Sequence, residues 1–262
     1  MRALLASPLG FLIGVALGAV GGGGSILAVP ALVYVAGQAP RAATTTSLVI
    51  VGGVAAVGAV SHGRAQRVRA GPGVLFGIVG SGGSLVGSAL NRHLSPHLLL
   101  LAFSVLILGA GWRMWPRSGD ADARASAGAG GGSTVVGQRV SASGVAVIVA
   151  AATVVGFLTG LFGVGGGFVV VPALVLALGY EMPVAVGTSL VVIAINSAVA
   201  LADRVTTTGI AWHVALPFLI AGLAGAETGK RIADRASGPT LARWFAVLLV
   251  AVALYTAGRS LA

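Results

Sequence analysis

Cysteine is absent from the 262 residues, so the chain has no disulfide frame, no thiolate metal site and no cysteine nucleophile. Charge is nearly as scarce. The 16 Lys+Arg and 6 Asp+Glu make up 8% of the chain, against about 25% in an ordinary soluble domain. So few ionised side chains cannot cover a soluble globule of this size, which excludes a cytosolic enzyme as the default. Lysine occurs once, at Lys230, far from either glycine run. A phosphate-binding loop needs Gly-Lys-Ser/Thr, so no nucleotide site is expected. Gly187-Thr188-Ser189-Leu190 lacks the last glycine of a rhomboid-like Gly-x-Ser-Gly, and no enzyme is expected. His62, His93, His97 and His213 never pair at metal-ligand spacing. They read as interfacial residues near span ends, with no metal and no cofactor.

What remains is apolar. The hydrophobic share is 56%, glycine supplies 42 residues, and the mean hydropathy is +1.00. The composition therefore predicts an integral membrane protein, all-α and polytopic. The net charge of +10 does not point to nucleic acid, because the basic residues are sparse and sit at the ends of apolar runs. That is the pattern by which basic loops stay cytoplasmic. The N-terminus resembles a signal peptide, but the apolar run continues uncharged to Arg41, too long for a cleaved segment.

Uncharged stretches run over 3–40, 42–63, 70–91, 93–112, 140–180, 182–202, 205–226 and 244–258. A single crossing needs about 20 residues. Most stretches fit one crossing each, whereas 3–40 and 140–180 are about twice that long. These two are also alike. At a shift of 142, Gly14, Gly18, Gly21, Gly23, Gly24 and Val29-Pro30-Ala31-Leu32-Val33 fall on Gly156, Gly160, Gly163, Gly165, Gly166 and Val171-Pro172-Ala173-Leu174-Val175. The register continues at Gly37/Gly179 and at Thr46-Ser47-Leu48-Val49/Thr188-Ser189-Leu190-Val191. The sequence thus predicts an internal duplication: a membrane repeat over 1–116, a Gly/Ala/Ser-rich cytoplasmic linker over 117–142, and a second membrane repeat over 143–262.

Gly21–Gly24 and Gly163–Gly167 interrupt their long stretches, and glycine runs are poor helix interiors. Within lipid, such breaks survive only beside protein or a water-filled cavity. Paired breaks in matching halves point to a transporter's binding site. If all eight stretches cross once, the basic residues divide ten to six. If the two long ones are re-entrant hairpins, they divide eleven to five. The second arrangement has the stronger bias and makes the halves inverted, with both termini outside.

The doubled pattern Gly-x-x-x-Gly-x-x-Gly-x-Gly-Gly, then a proline and a later Thr-Ser, resembles the TauE/SafE family of sulfite exporters. Here it runs over Gly14–Pro30 with Thr46-Ser47, and over Gly156–Pro172 with Thr188-Ser189. His62-Gly63-Arg64, Trp212 and Gly222-x-x-Gly225-x-x-x-Gly229 resemble other parts of that family. The resemblance implies a small transporter moving sulfite, thiosulfate, sulfoacetate or a related organosulfur anion across the bacterial inner membrane. The copies differ: Gly22 and Ser25 stand opposite Val164 and Gly167, and Pro40 is one place out of register with Pro183.

A small oxyanion needs donors. Glycine turns expose backbone N–H groups, and a half-helix aims its positive end at an anion. The candidate site is Gly22, Gly23, Gly24 and Ser25 from one half and Gly165, Gly166 and Gly167 from the other, completed by Thr46, Ser47, Thr188 and Ser189. The Thr-Ser pairs serve equally as helix-start caps. Asn196 is either a helix–helix bond or a substrate contact. Gly14, Gly18, Gly156 and Gly160 read as close helix packing. Glu227, with Lys230 and Arg231 three and four residues on, reads as an ion pair near a helix end. Expected partners are a small sulfur-containing anion, the lipid bilayer and a coupling proton or sodium ion, with no nucleic acid. The alternatives are a passive anion channel and a non-transporting membrane subunit.

Overall fold

The structure, a computed structural model, describes residues 2–91, 102, 105, 106, 108–113, 142–162, 167–204 and 210–261. All the elements among them are helical. Helix α1 spans Arg2–Val20, and a 3-10 turn at Gly21–Gly24 joins it to α2, Ser25–Tyr34. Then come α3 (Pro40–Arg64), α4 (Ala70–Asn91), α5 (Ala142–Phe162), α6 (Gly167–Leu176), α7 (Met182–Arg204), α8 (Trp212–Arg235) and α9 (Gly238–Leu261). The expected linker lies outside the described residues apart from Ala142, which opens α5. Gly165, Gly166 and most of the stretch 93–112 lie outside them too.

The glycine run breaks α1 as its composition predicts. Gly21 adopts φ +69°, a left-handed conformation that ends the helix. The chain then turns back on itself. A Cβ on Gly24 would lie 2.5 Å from the Leu17 amide nitrogen and 2.9 Å from the Ile13 carbonyl oxygen. Eleven residues of straight helix would hold Gly24 and Ile13 about 16 Å apart. The ten-residue α2 is thus a half-helix folded beside the end of α1, and α6 is likewise ten residues long.

Both half-helices end in the same way. Gln38 N donates to Leu32 O, and Tyr180 N to Leu174 O. Gly37 and Gly179 supply φ +68° and +67°. Each bond reaches six residues back over a left-handed glycine, a wider form of the usual glycine stop of a helix. The following helices open alike, with Ala43 N on Ala39 O and Ala185 N on Glu181 O, each at 2.9 Å.

Small residues set the helix pairs. Helix α1 lies along α8, and α4 lies along α5. A Cβ on Gly14 would stand 2.0 Å from Gly222 O, and one on Gly18 2.1 Å from Ala226 O. Across the other pair, a Cβ on Gly156 would stand 2.0 Å from Gly80 O, and one on Gly160 1.9 Å from Ser84 O. These backbones touch, which is how helices associate where lipid removes the hydrophobic drive. Helices α3 and α7 pack against each other between the pairs. Leu17, Leu32, Ile50, Leu190 and Phe218 fill one side of the interior, and Phe76, Leu174, Leu241 and Phe245 the other.

The exterior is apolar as well. Leu12, Val57, Val60, Ile78, Leu85, Val86 and Ile220 are each more than half exposed, a surface suited to lipid rather than water. Four apolar runs among the described residues are long enough to cross a membrane: Pro8–Val33, Ala42–Arg64, Ala70–Leu90 and Met182–Ala202. Helix ends depart from the charge-free stretches in places. The uncharged run ends at 226, yet α8 continues to Arg235, with Glu227 and Arg231 paired one turn apart, and α9 opens at Gly238, ahead of the run that starts at 244.

Candidate functional site

The two broken regions meet. A Cβ on Gly22 would lie 1.6 Å from Gly167 O, so the glycine turn and the start of α6 cross backbone on backbone. Ser25, the first residue of α2, donates its hydroxyl to Gly22 O at 2.7 Å. A Cβ on Gly167 would in turn lie 2.6 Å from Ser25 Oγ. A Cβ on Gly21 would lie 2.6 Å from Ser189 Oγ. Gly22, Gly23, Gly24 and Gly167 are all buried, and only glycine lets the strands of chain approach this closely.

Beside the crossing lies a partly open cavity of about 160 Å³, walled by α2, α3, α4, α5 and α7. Ser25 and Val29 line it from α2, and Thr44 and Ser47 from α3. Ser81, Ser84 and Ser88 line it from α4, Thr159 from α5, and Asn196 and Ser197 from α7. None of the residues lining it is charged. Leu48, Val51, Leu85 and Val199 line it as well, so the wall combines apolar side chains with hydroxyls, one amide and the opening turn of a half-helix, whose positive end favours an anion.

Several of these hydroxyls donate to their own helix: Ser47 to Thr44 O, Ser88 to Leu85 O and Thr159 to Val155 O. A hydroxyl rotates freely, and an ionised acceptor is the stronger partner, so each proton can turn to an anion. Asn196 Oδ1 lies 3.1 Å from Ser81 Oγ, which also lies 2.8 Å from Gly77 O. Ser81 has one hydroxyl proton for the Gly77 carbonyl and the Asn196 amide together, so in either orientation the amide keeps at least one N–H for the cavity. Asn196 thus bonds across helices and also lines the cavity.

Of the candidates named from sequence, Ser25, Ser47 and Asn196 reach the cavity. Gly22, Gly23, Gly24 and Gly167 form the crossing behind it. Thr46, Thr188 and Ser189 are buried away from it. Ser189 donates to Val186 O, and Thr188 Oγ1 accepts the Arg69 N–H at 3.1 Å. Gly165 and Gly166 lie outside the described residues. The sequence reading missed Thr44, Thr159, Ser197 and the α4 serines. Ser81, Ser84 and Ser88, spaced three and four apart, put three hydroxyls on one helix face, and that signal was open to view.

On the opposite side of the crossing the helices are closed. The turn after α3 packs on α7, where a Cβ on Gly187 would lie 2.3 Å from Arg67 O. Arg67 pairs with Asp234 across this turn. Arg69 faces Tyr180, whose phenol burial holds above its ordinary range while the guanidinium pulls it down. His62, expected at an interface, is instead fully buried, with Nε2 3.2 Å from Gly18 O. Packing of α3 on α8, with the Gly18 carbonyl of α1 against the ring, encloses it.

Glu227 pairs with Arg231 at 3.5 Å, and Lys230 turns instead to Ser61 Oγ at 2.9 Å. Both members of the Glu227–Arg231 pair are about half exposed or more, so the pair contributes less than about 1 kcal/mol. Glu227→Gln is expected to leave transport within about twofold of the parent. A larger loss in initial flux would move Glu227 into the transport machinery.

The chain matches the sulfite exporter TauE/SafE family over residues 6–256. It is 35% identical to a probable membrane transporter protein of Xylella fastidiosa (strain 9a5c), covering 96% of this chain and 93% of that one. It is 25% identical to the probable membrane transporter protein YunE of Bacillus subtilis (strain 168), covering 93% of each. No solved structure matches it.

Proposed function

We infer the function from one premise: the chain belongs to the TauE/SafE sulfite exporter family and is a membrane transporter, not an enzyme. We read it as a secondary transporter of a small anion, sulfite or a related sulfur oxyanion or organosulfonate, across the bacterial inner membrane. The observation that carries this reading is the uncharged, hydroxyl-lined cavity of about 160 Å³ at the start of a half-helix. It has room for a small anion with some of its water, offers many donors, and holds no fixed charge that would trap the ion.

The reading includes two inverted halves. The matched turns at 35–43 and 177–185 support a duplication. So does the packing, in which α1 meets α8 as α5 meets α4, and α3 meets α8 as α7 meets α4. The fold-back at Gly21 supports a re-entrant hairpin, and with it the arrangement of six crossings plus two hairpins. In that arrangement Thr44, Ser81, Ser84, Ser88 and Asn196 lie in the outer halves of their helices. The cavity then opens outward, and the turn 65–69 seals the inner side. Exchange of these two closures would carry the anion across.

The test is flux in proteoliposomes of sulfite, thiosulfate and a sulfonate, each with and without a pH gradient. Saturable flux of at least one is expected. Flux that rises without saturation would make the protein a channel, and none for any of the three would remove sulfur anions as the substrate class.

A further inference from the structure

We propose that His62 is a proton-binding site that couples pH to the side on which the cavity opens. This rests on the transporter reading above. His62 is 1% exposed. Its Nε2 faces the Gly18 carbonyl, in the last turn of α1 and three residues before the left-handed Gly21. A carbonyl only accepts, so Nε2 carries the proton and Nδ1 presents a lone pair. That Nδ1 is buried and has no partner.

The surrounding charges are already engaged. From α8, Asp234 pairs with Arg67, Glu227 pairs with Arg231, and Lys230 reaches Ser61 Oγ. Ser61 Oγ also reaches Glu227 Oε2 at 3.2 Å. Lys230, Asp234 and Arg67 all act on His62 through space. From α1 the Gly18 carbonyl faces the ring, and on α3, the helix of His62 itself, Arg64 follows two residues later.

A proton added to the Nδ1 lone pair would make a second buried N–H with no acceptor, and a cation close to Lys230 and Arg67. Both are unfavourable in this packing. They are relieved if α3 and α8 part enough for water to reach Nδ1–H. The proton therefore binds better to a second conformation than to this one, and proton uptake shifts the population toward it. Because the ring holds the last turn of α1, such a movement is transmitted to the glycine crossing and so to the cavity wall. The imidazole is suited to the task, since a free imidazole changes charge between about pH 5 and pH 8, and its burial here beside Lys230 and Arg67 ties proton uptake to a change of conformation.

The absence of cysteine provides a clean reporter. A nitroxide on Ser84→Cys, in the cavity wall, should change its line shape between about pH 8 and pH 5.5. His62→Gln, which keeps a hydrogen-bonding side chain, should remove at least about nine-tenths of that change. The readout needs no substrate, so the proposal can fail here while the transporter reading stands on flux, and the reverse. A line shape that ignores pH in the parent would overturn the proposal, as would the same pH response in His62→Gln. Should His62→Gln not fold, ¹⁵N-histidine spectra of the full chain in lipid decide. His62 Nδ1 should take up a proton as the pH is lowered, and a flat response overturns the proposal.

Discussion

Gly22→Ala is expected to abolish transport and to destabilise the protein by about 3 kcal/mol or more, at or beyond the upper end for overpacking. The added methyl would sit 1.6 Å from Gly167 O and 2.1 Å from its carbonyl carbon. Both belong to backbone at the start of α6, so no side-chain rotation relieves the clash. The half-helices must separate, and the crossing that supports the cavity goes with them. Gly23→Ala should be milder, because its methyl meets the Leu248 side-chain end at 2.8 Å, which can move. Gly82→Ala meets nothing within 4 Å and should be neutral or slightly stabilising in its helix. Thermal unfolding of the purified variants, with flux alongside, measures this order. Equal behaviour of Gly22→Ala and Gly82→Ala would remove the crossing from the account.

Asn196→Leu should raise the KM for the transported anion by about 10-fold to 100-fold. A hydrogen bond to a charged group contributes about 1.5–3 kcal/mol, and each 1.4 kcal/mol is tenfold. Leucine keeps the volume and removes both N–H donors, so the change reads lost donors rather than lost packing. Ser81→Ala should give a smaller rise in the same direction, because it frees the amide oxygen that Ser81 Oγ reaches at 3.1 Å. Initial rates against concentration in proteoliposomes give both values. An unchanged KM in Asn196→Leu would place the anion elsewhere.

The glycine runs, the prolines and the shift of 142 made the two half-helices legible in the sequence, because helix breaks are written in local composition. Gly37 and Gly179 likewise appeared as one matched pair and proved to be one matched turn. The cavity was legible only in part. Ser25 stood out because it follows a glycine run, and Asn196 because an amide is rare in an apolar stretch. Thr44, Thr159 and Ser197 had no such signal, since a lone hydroxyl in a membrane helix more often serves its own backbone, as Thr159 does here. The roles of Gly22 and Gly167 depend on two segments far apart in sequence meeting, and no local pattern states that. The burial of His62 was hidden for the same reason: it sits near the end of its apolar stretch, and the packing of α8 and α1 around it encloses it.

The most direct test of the cavity as the anion's path is alkylation of a single cysteine placed in its wall. Ser84→Cys is reconstituted, its sulfite flux is measured, and the same preparation is measured again after N-ethylmaleimide and removal of the reagent. The thioether formed is stable to sulfite, and the parent chain has no cysteine to react. At least about nine-tenths of the flux should be lost on alkylation, because the adduct occupies much of a cavity of about 160 Å³. Unchanged flux from protein that mass spectrometry shows to be fully alkylated would contradict the account.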